Sequence, residues 1–188
     1  MAQPEKIIKK DVQNLWQVND FKIINETWDK HILSDGTTLR ARAILAGVML
    51  EKSLDELEAR IRVGEKPKLG LNFRTRNFFE IDSPSELRGQ PEKKAYSNEE
   101  LKKSITEKDI DFKTVQQAWN VYETTNGIIL KLRISIVSVN KTSKFDERGM
   151  PVYFVESGIE LKTEIPERLK KLSQNMPDQG VLTFKPIT

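Results

Sequence analysis

The stretch DFKIINETWDKHILSDGTTLRARAILAGV, residues 20–48, is followed later in the chain by DFKTVQQAWNVYETTNGIILKLRISIVSV, residues 111–139. The second stretch begins 111 − 20 = 91 positions after the first, and the two align without a gap. The identical residues include the tryptophans Trp28 and Trp119 and the glycines Gly36 and Gly127. Self-similarity at a fixed offset is typical of a fold that repeats one structural unit. The sequence therefore predicts two copies of the same unit.

The similarity continues beyond these stretches after a gap. Pro84 aligns with Pro166 at an offset of 166 − 84 = 82, so the first copy carries an insertion of 91 − 82 = 9 residues. We expect a helical N-terminal segment at residues 1–19 and a β-rich repeat with an inserted helix at 20–88. A linker with a short helix at 89–110 and a second β-rich repeat with a C-terminal tail at 111–188 complete the predicted organisation.

Each copy begins with a β-hairpin, because Asp35-Gly36 and Asn126-Gly127 are preferred two-residue hairpin turns. A two-residue loop places Trp28 opposite Ala43 and Trp119 opposite Ile134. It predicts an apolar face that holds both tryptophans in the core, with Gly36 and Gly127 at the structural corners. The polar face then pairs Asp29 with Arg42, His31 with Arg40, Asn120 with Arg133 and Tyr122 with Lys131.

Further elements follow from local patterns. Third strands are predicted at about 70–81 and 152–165, each ending at a proline that can begin a short helix. The nine-residue insertion is interpreted as a helix, because Ser53 and Glu56 form a capping-box pattern and Leu54, Leu57 and Ile61 share one face. The small residues Ala41, Ala43, Ala46 and Gly47 stand where the second copy has Leu132, Ile134, Val137 and Ser138. They are expected to make room for this helix, or alternatively to leave a ligand pocket. Ser97 and Glu100 predict the linker helix.

These elements predict an α+β, β-rich fold in which two tandem hairpin-plus-strand repeats pack as a pseudo-symmetric unit with a few short helices. Three strands are barely enough for independent stability, which favours packing of the two copies together. Two domains joined by a flexible linker are the alternative.

The pattern of a tryptophan, an Asp-Gly-Thr-x-Leu hairpin and, in the second copy, the segment from Asp146 to Tyr153 resembles small uncharacterised prokaryotic proteins, mainly archaeal. The resemblance covers one copy of about 60 residues at a time. It implies a β-rich fold and no particular activity.

Composition excludes several kinds of chemistry. The 188 residues include no cysteine and one histidine, so disulfides, thiolate nucleophiles and zinc sites with two or more Cys or His ligands cannot form within the chain. No phosphate-binding glycine loop occurs. We expect no cofactor, no metal and no membrane partner, and a cytoplasmic location, because the N-terminus lacks a signal-peptide core and no apolar run is long enough to cross a bilayer.

Basic side chains on equivalent strands provide a candidate binding site. If the hairpins lie side by side, Arg40, Arg42, Lys131 and Arg133 form a basic patch, with Tyr122 and His31 as stacking surfaces. Arg74 and Arg76, next to Phe78, form a second basic and aromatic cluster. Positive charge interleaved with aromatic rings is typical of single-stranded nucleic-acid binding. The alternative is ordinary cross-strand pairing with acids.

Three functions are therefore open. The first is a non-enzymatic binding or adaptor protein for a macromolecule, with single-stranded nucleic acid as the most testable partner. The second is a structural or assembly protein that contacts other proteins through exposed strand edges. The third is an enzyme or ligand-binding protein for a small molecule in the space beside the alanines.

Overall fold

The computed structural model describes residues 17–50, 53–65 and 70–174, and more than half of these described residues are in β-strands. Three helices and one 3₁₀ turn accompany the strands: α1 (Leu54–Arg62), α2 (Asn98–Lys103), α3 (Glu167–Gln174) and the turn at Ser85–Leu87. The strands are β1 (Gln17–Asn19), β2 (Phe21–Asn25), β3 (Asp29–Leu33), β4 (Thr38–Leu50), β5 (Leu71–Asp82), β6 (Ile105–Glu107), β7 (Phe112–Gln116), β8 (Asn120–Thr124), β9 (Ile129–Phe145) and β10 (Pro151–Glu164).

The strands form two five-stranded antiparallel sheets, each completed by a strand from the other repeat. Sheet 1 contains β1, β3, β4, β5 and β7, and sheet 2 contains β2, β6, β8, β9 and β10. Strand β2 of the first repeat pairs with β8 of the second, while β7 of the second repeat pairs with β3 of the first. This reciprocal exchange joins the repeats, and the predicted pseudo-symmetric β-rich fold is confirmed.

The two repeats are joined by a matching pair of hydrogen bonds, because the residues of one bond are equivalent to those of the other, that is, 91 positions apart in the sequence alignment. Asp29 Oδ1 accepts from the Ala118 N–H at 3.0 Å, and Asn120 Oδ1 accepts from the Thr27 N–H at 2.7 Å. Two edge-to-face ring contacts follow the same rule: His31 against Phe112, and Tyr122 against Phe21. Equivalent residues therefore fasten the exchanged strands in both halves.

The predicted hairpin register is wrong by one residue in both repeats. Asp29 lies opposite Ala41 and His31 opposite Leu39, while Asn120 lies opposite Leu132 and Tyr122 opposite Leu130. The loop has three residues, because the Leu33 N–H donates to Thr37 O and only the glycine adopts a positive φ, +85° at Gly36. A three-residue turn that ends in a glycine bulge explains the shift.

The register shift reverses the faces of β3 and β8 and leaves those of β4 and β9 as predicted. Asp29, His31, Asn120 and Tyr122 are buried and do not lie on a polar outer face. Trp28, Ile32, Trp119 and Val121 are only partly buried, because they lie on the alternate side of their strands. Arg40 and Arg42 stay on the outside, because the faces of β4 are as predicted. The core therefore contains hydrogen-bonded polar side chains of β3 and β8 where tryptophans were predicted.

The core lies between the sheets and is fully packed beside the alanines. Ala41 and Ala43 are at most 1% exposed and pack against Ile134 of the other sheet. Helix α1 packs further along, where its Leu54 and Leu57 join a cluster with residues of both sheets. The expectation that α1 or a ligand fills the space beside Ala41 and Ala43 is therefore wrong, since the second repeat fills it, whereas Ala46 on the same strand is exposed.

The helices begin at the predicted caps. Ser53 Oγ accepts from the Glu56 N–H at the start of α1, and Leu54, Leu57 and Ile61 form its buried face as predicted. Ser97 and Glu100 form a complete capping box on α2. The predicted N-terminal helix is wrong at Gln17–Asn19, which form strand β1, and its remainder lies outside the described residues. Within the described ranges, no helix has the length and apolar character needed to cross a membrane.

Candidate functional site

The outer faces of the two sheets carry the predicted basic residues. On sheet 1, the arginine face consists of outward residues of β4 and β5: Arg40, Arg42, Arg74, Arg76 and Phe78. On sheet 2, the paired face consists of the equivalent region of β9 and β10: Lys131, Arg133, Glu156, Gly158 and Glu160. Side chains directly opposite in antiparallel strands share a face, and the observed pairs of Arg42 with Phe78 and of Arg133 with Glu160 define these surfaces.

A tryptophan with an arginine stacked on it lies at the same place in both repeats. The Arg42 guanidinium carbon is 4.6 Å from the centre of the Trp28 ring, and that of Arg133 is 4.6 Å from the Trp119 ring. The predicted core position of both tryptophans is wrong, since the rings lie beneath cations on the outside. Cation–π contact with the arginine covers a face of each partly buried indole.

The paired face neutralises its cations locally. Lys131 Nζ lies 2.5 Å from Glu164, and the Arg133 guanidinium forms an ion pair with Glu160. Lys22 lies 2.8 Å from Glu123 on the neighbouring strands. Lys162, directly opposite Lys131, forms no ion pair within the described residues and lies over the Trp119 ring at 4.6 Å. The other cations of this surface have acidic partners, so most of its charge is balanced.

The arginine face differs at the third strand. At an offset of 82 residues, Arg74 stands where the paired face has Glu156, and Phe78 stands where it has Glu160. Phe78 is 40% exposed, and its ring centre lies 5.9 Å from the Arg42 guanidinium. At these two positions the arginine face has a cation and an aromatic ring where the paired face has acids, while Glu80 stands where the paired face has Lys162.

The remaining charges on the arginine face are only partly balanced. Arg42 lies 3.4 Å from Glu26, and Arg40 lies 3.8 Å from Glu80 in an exposed pair that contributes little stability. No ion pair joins Arg74 or Arg76 to any residue of the described ranges, and both side chains are exposed. Alternate strand positions place these two cations about 7 Å apart on one side of β5.

The structure does not bring all the predicted binding residues together. Arg40 and Arg42 lie on sheet 1 whereas Lys131 and Arg133 lie on sheet 2, so the four form two separate surfaces. His31 and Tyr122 are 1% and 0% exposed, and neither ring is available for stacking on a ligand. Arg74 and Arg76 are the predicted residues that lie free on the surface.

The two buried rings have structural partners. His31 Nδ1 lies 3.0 Å from Thr114 Oγ1 on the exchanged strand, and burial lowers the pKa of His31. The Tyr122 hydroxyl donates to Glu26 at 2.7 Å, and burial together with this carboxylate raises the pKa of Tyr122. Neither group is placed to exchange protons with a substrate.

A cleft of about 870 Å³ lies beside the arginine face. Strands β4, β5 and β10 line it, with Ile44, Phe73, Arg74, Arg76, Ile159 and Leu161 among the residues. Phe73, Ile159 and Leu161 also pack on the core cluster. The cleft thus combines an apolar floor with two arginines. Sequence reasoning found the arginines but missed Ile159 and Leu161, because strands from different repeats meet there without any local signal.

A buried hydroxyl network joins the first hairpin turn to the second repeat. The Tyr153 hydroxyl donates to Asp35 at 2.6 Å and lies 2.9 Å from Thr37 Oγ1, which in turn lies 3.1 Å from Ser83 Oγ. Although burial opposes it, hydrogen bonds from Tyr153 and Thr37 hold the pKa of Asp35 below its ordinary value. The network ties the first hairpin turn to β10.

Metal chemistry has no evident location in the part of the chain that the structure describes, where no three potential ligand side chains cluster. Comparison of the chain with known protein families, curated proteins and solved structures found no match. The resemblance to small archaeal proteins therefore stays a prediction.

Proposed function

We propose that this protein is a non-enzymatic nucleic-acid-binding protein that holds a single strand on the arginine face. The observation that carries the proposal is the divergence of equivalent positions: Arg74 and Phe78 replace the acids Glu156 and Glu160 of the other repeat. A fold alone needs no such change, since the paired face forms with the acids in place. Even with Glu80 at the position of Lys162, the arginine face carries the larger net positive charge of the two.

The arrangement suits an extended polyanion. Arg74 and Arg76 repeat along β5 and can each donate two parallel hydrogen bonds to a phosphate. Phe78 continues the same row and presents an exposed ring on which a base can stack. A row of cations that continues into an aromatic platform supports binding of an unpaired strand more than binding of a compact anion.

Fluorescence anisotropy with a labelled single-stranded oligonucleotide tests the proposal. At low salt we expect binding with a Kd below about 100 µM, and a steep loss of affinity as salt rises because phosphate contacts release counterions. An unlabelled duplex of the same sequence should compete at least about 10-fold less well, because its bases are stacked. Absence of binding at low salt contradicts the proposal.

Matched variants localise the site. Arg74→Ala with Arg76→Ala should weaken binding at least about 10-fold, whereas Lys131→Ala with Lys162→Ala should change it less than about 2-fold. Both doubles remove two positive charges, so net charge alone cannot explain a difference. Equal loss in the two doubles would place the site elsewhere.

The aromatic platform has its own control. Phe78→Ala should weaken binding about 5- to 100-fold, the range expected for loss of one stacked base. Phe79→Ala should have little effect, because Phe79 is 38% exposed but lies on the alternate side of β5, opposite Ala41. If Phe79→Ala weakens binding as much as Phe78→Ala, the ligand does not lie on the arginine face.

A second candidate function is assembly with other proteins. Within the described residues β5 pairs only with β4 and β10 only with β9, which leaves two edges of 12 and 14 residues. Such edges can add a strand from a partner, although charged side chains such as Arg76 and Glu160 protect them. Light scattering that shows a mass rising with concentration supports assembly, and a constant monomer mass contradicts self-assembly.

A further inference from the structure

We infer that the cleft beside β5 accepts an unpaired base of the bound strand. This inference rests on the proposed function and assigns one part of the ligand to one part of the site. The cleft lies in the size range of about 300–1,000 Å³ that is typical of small-molecule sites. Its lining is shared with the arginine face, because Arg74 and Arg76 belong to both.

The floor of the cleft fits a planar apolar group. Phe73, Ile159 and Leu161 are partly buried against the core and leave part of their surface open to the cleft. A base covers such a surface with its ring while its phosphate stays outside, where the guanidinium groups lie. A simple inorganic anion would use the arginines but would leave the apolar floor exposed to water.

An irregularity in β4 contributes to the opening. The pairing of β4 with β5 shifts between Leu45 and Gly47, so Ala46 is an extra residue at a β-bulge. Ala46 is exposed and lines the cleft with its single methyl group. The equivalent residue of the second repeat, 91 positions later, is Val137, which is 69% exposed. A small side chain at this bulge leaves room where the other repeat has a branched one.

A cleft that accepts a base should also favour a single strand over a duplex. A base within a duplex is stacked and paired, so it enters a cleft only after it has been unstacked. An unpaired base meets a much smaller cost. The cleft therefore favours single strands beyond what the phosphate contacts of the arginines can provide.

Anisotropy with intact and abasic single strands tests the cleft. The probe is one labelled oligonucleotide, compared with the same strand in which abasic sites replace several bases. Wild-type protein should bind the abasic strand about 5- to 100-fold more weakly, since stacking contributes at this level per base. Ala46→Gln should weaken binding of the intact strand and reduce this difference, because it fills the cleft from an exposed position, while stacking on Phe78 accounts for the remainder.

The equivalent variant of the second repeat is the control. Val137→Gln changes an exposed residue on the paired face and should leave both affinities unchanged. Equal effects of Ala46→Gln and Val137→Gln overturn the cleft and leave the arginines and Phe78 as the site. Equal binding of intact and abasic strands by the wild-type protein overturns base stacking in the cleft and on Phe78 alike, and leaves the arginine face as a phosphate site. Absence of binding to the intact strand overturns the proposed function itself.

Discussion

The arginine face and the paired face are built on the same framework of strands but carry different side chains on β5 and β10. Both stack an arginine on a tryptophan at 4.6 Å, and both rest on a hairpin whose turn glycine has a φ near +80°. They differ on the third strand of each repeat. Arg74 and Phe78 of β5 occupy the positions that Glu156 and Glu160 occupy in β10. The inward residues build the core in both repeats even where their identities differ, whereas the outward residues of β5 and β10 differ in charge and are where a difference in function is to be sought.

The largest expected effect tests whether the repeats fold as one unit. Leu39 and Leu130 are equivalent, and both are 0% exposed. Leu39→Ala and Leu130→Ala should each lower the free energy of unfolding by about 3 kcal/mol in urea denaturation. Because each sheet contains a strand of the other repeat, both variants should shift the same single transition.

Val137→Ala, at a 69% exposed position, is the control and should change stability by less than about 0.5 kcal/mol. Two separate transitions, each sensitive to only one leucine variant, would show that the repeats unfold independently despite the strand exchange.

The next effect distinguishes two equivalent buried polar residues. Asn120 accepts from the Thr27 N–H and also donates to Ala43 O at 2.8 Å. Asp29 cannot donate, and the carbonyl equivalent to Ala43 O, that of Ile134, is satisfied by Gln117 at 3.2 Å. Asn120→Ala should therefore cost about 3 kcal/mol, and Asp29→Ala about 1 kcal/mol, in the same denaturation experiment.

The difference has a second cause, because burial raises the pKa of Asp29 and so opposes its charged form. Removal of this carboxylate relieves that cost, while removal of the neutral Asn120 amide relieves nothing. A loss for Asp29→Ala as large as that for Asn120→Ala would contradict this assignment of partners.

The smallest effect is a pH dependence present in one repeat only. Burial lowers the pKa of His31 below 6.5, so the unfolded chain binds a proton at a pH where the folded protein does not. His31 therefore contributes stability above pH 6.5 that is lost as the pH falls toward its lowered pKa. His31→Tyr, which copies Tyr122, should reduce the loss of unfolding free energy between about pH 7.5 and 5.5.

Tyr122→Phe is the matched control for this slope. The raised pKa of Tyr122 lies far above the tested range, so the variant should be less stable at every pH but keep the wild-type slope. An unchanged slope in His31→Tyr would mean that His31 does not remain neutral in the folded protein.

Much of the fold could be predicted because its signals are local. The glycine corners, the capping residues Ser53 and Ser97, and the prolines after the third strands each specify structure within a few positions. The hairpin register could not be fixed in this way, since Asp35-Gly36 fits both a two-residue turn and the end of a three-residue turn. The two-residue turn predicted Trp28 in the core and His31 on the outer face, whereas the three-residue turn places His31 in the core and Trp28 on the outer face.

The strand exchange and the cleft could not be predicted for a different reason. Pairing of β2 with β8 depends on contacts about 100 residues apart, and the contact of Phe73 with the region of Ile159 depends on that packing. Arg74 and Arg76 were predicted as a cluster because they alternate on one strand. That no described acid forms an ion pair with either arginine became evident only when the opposite strands were in place.

The central claim is that nucleic acid binds one face of a symmetric framework, and a nuclear magnetic resonance titration of the wild-type protein tests it most directly. With ¹⁵N-labelled protein and a short single-stranded oligonucleotide, amide shifts should change around residues 42–46 and 74–78. Their equivalents at 133–137 and 156–160 should stay unchanged. Equal shifts on both faces, or shifts confined to the paired face, would contradict the account.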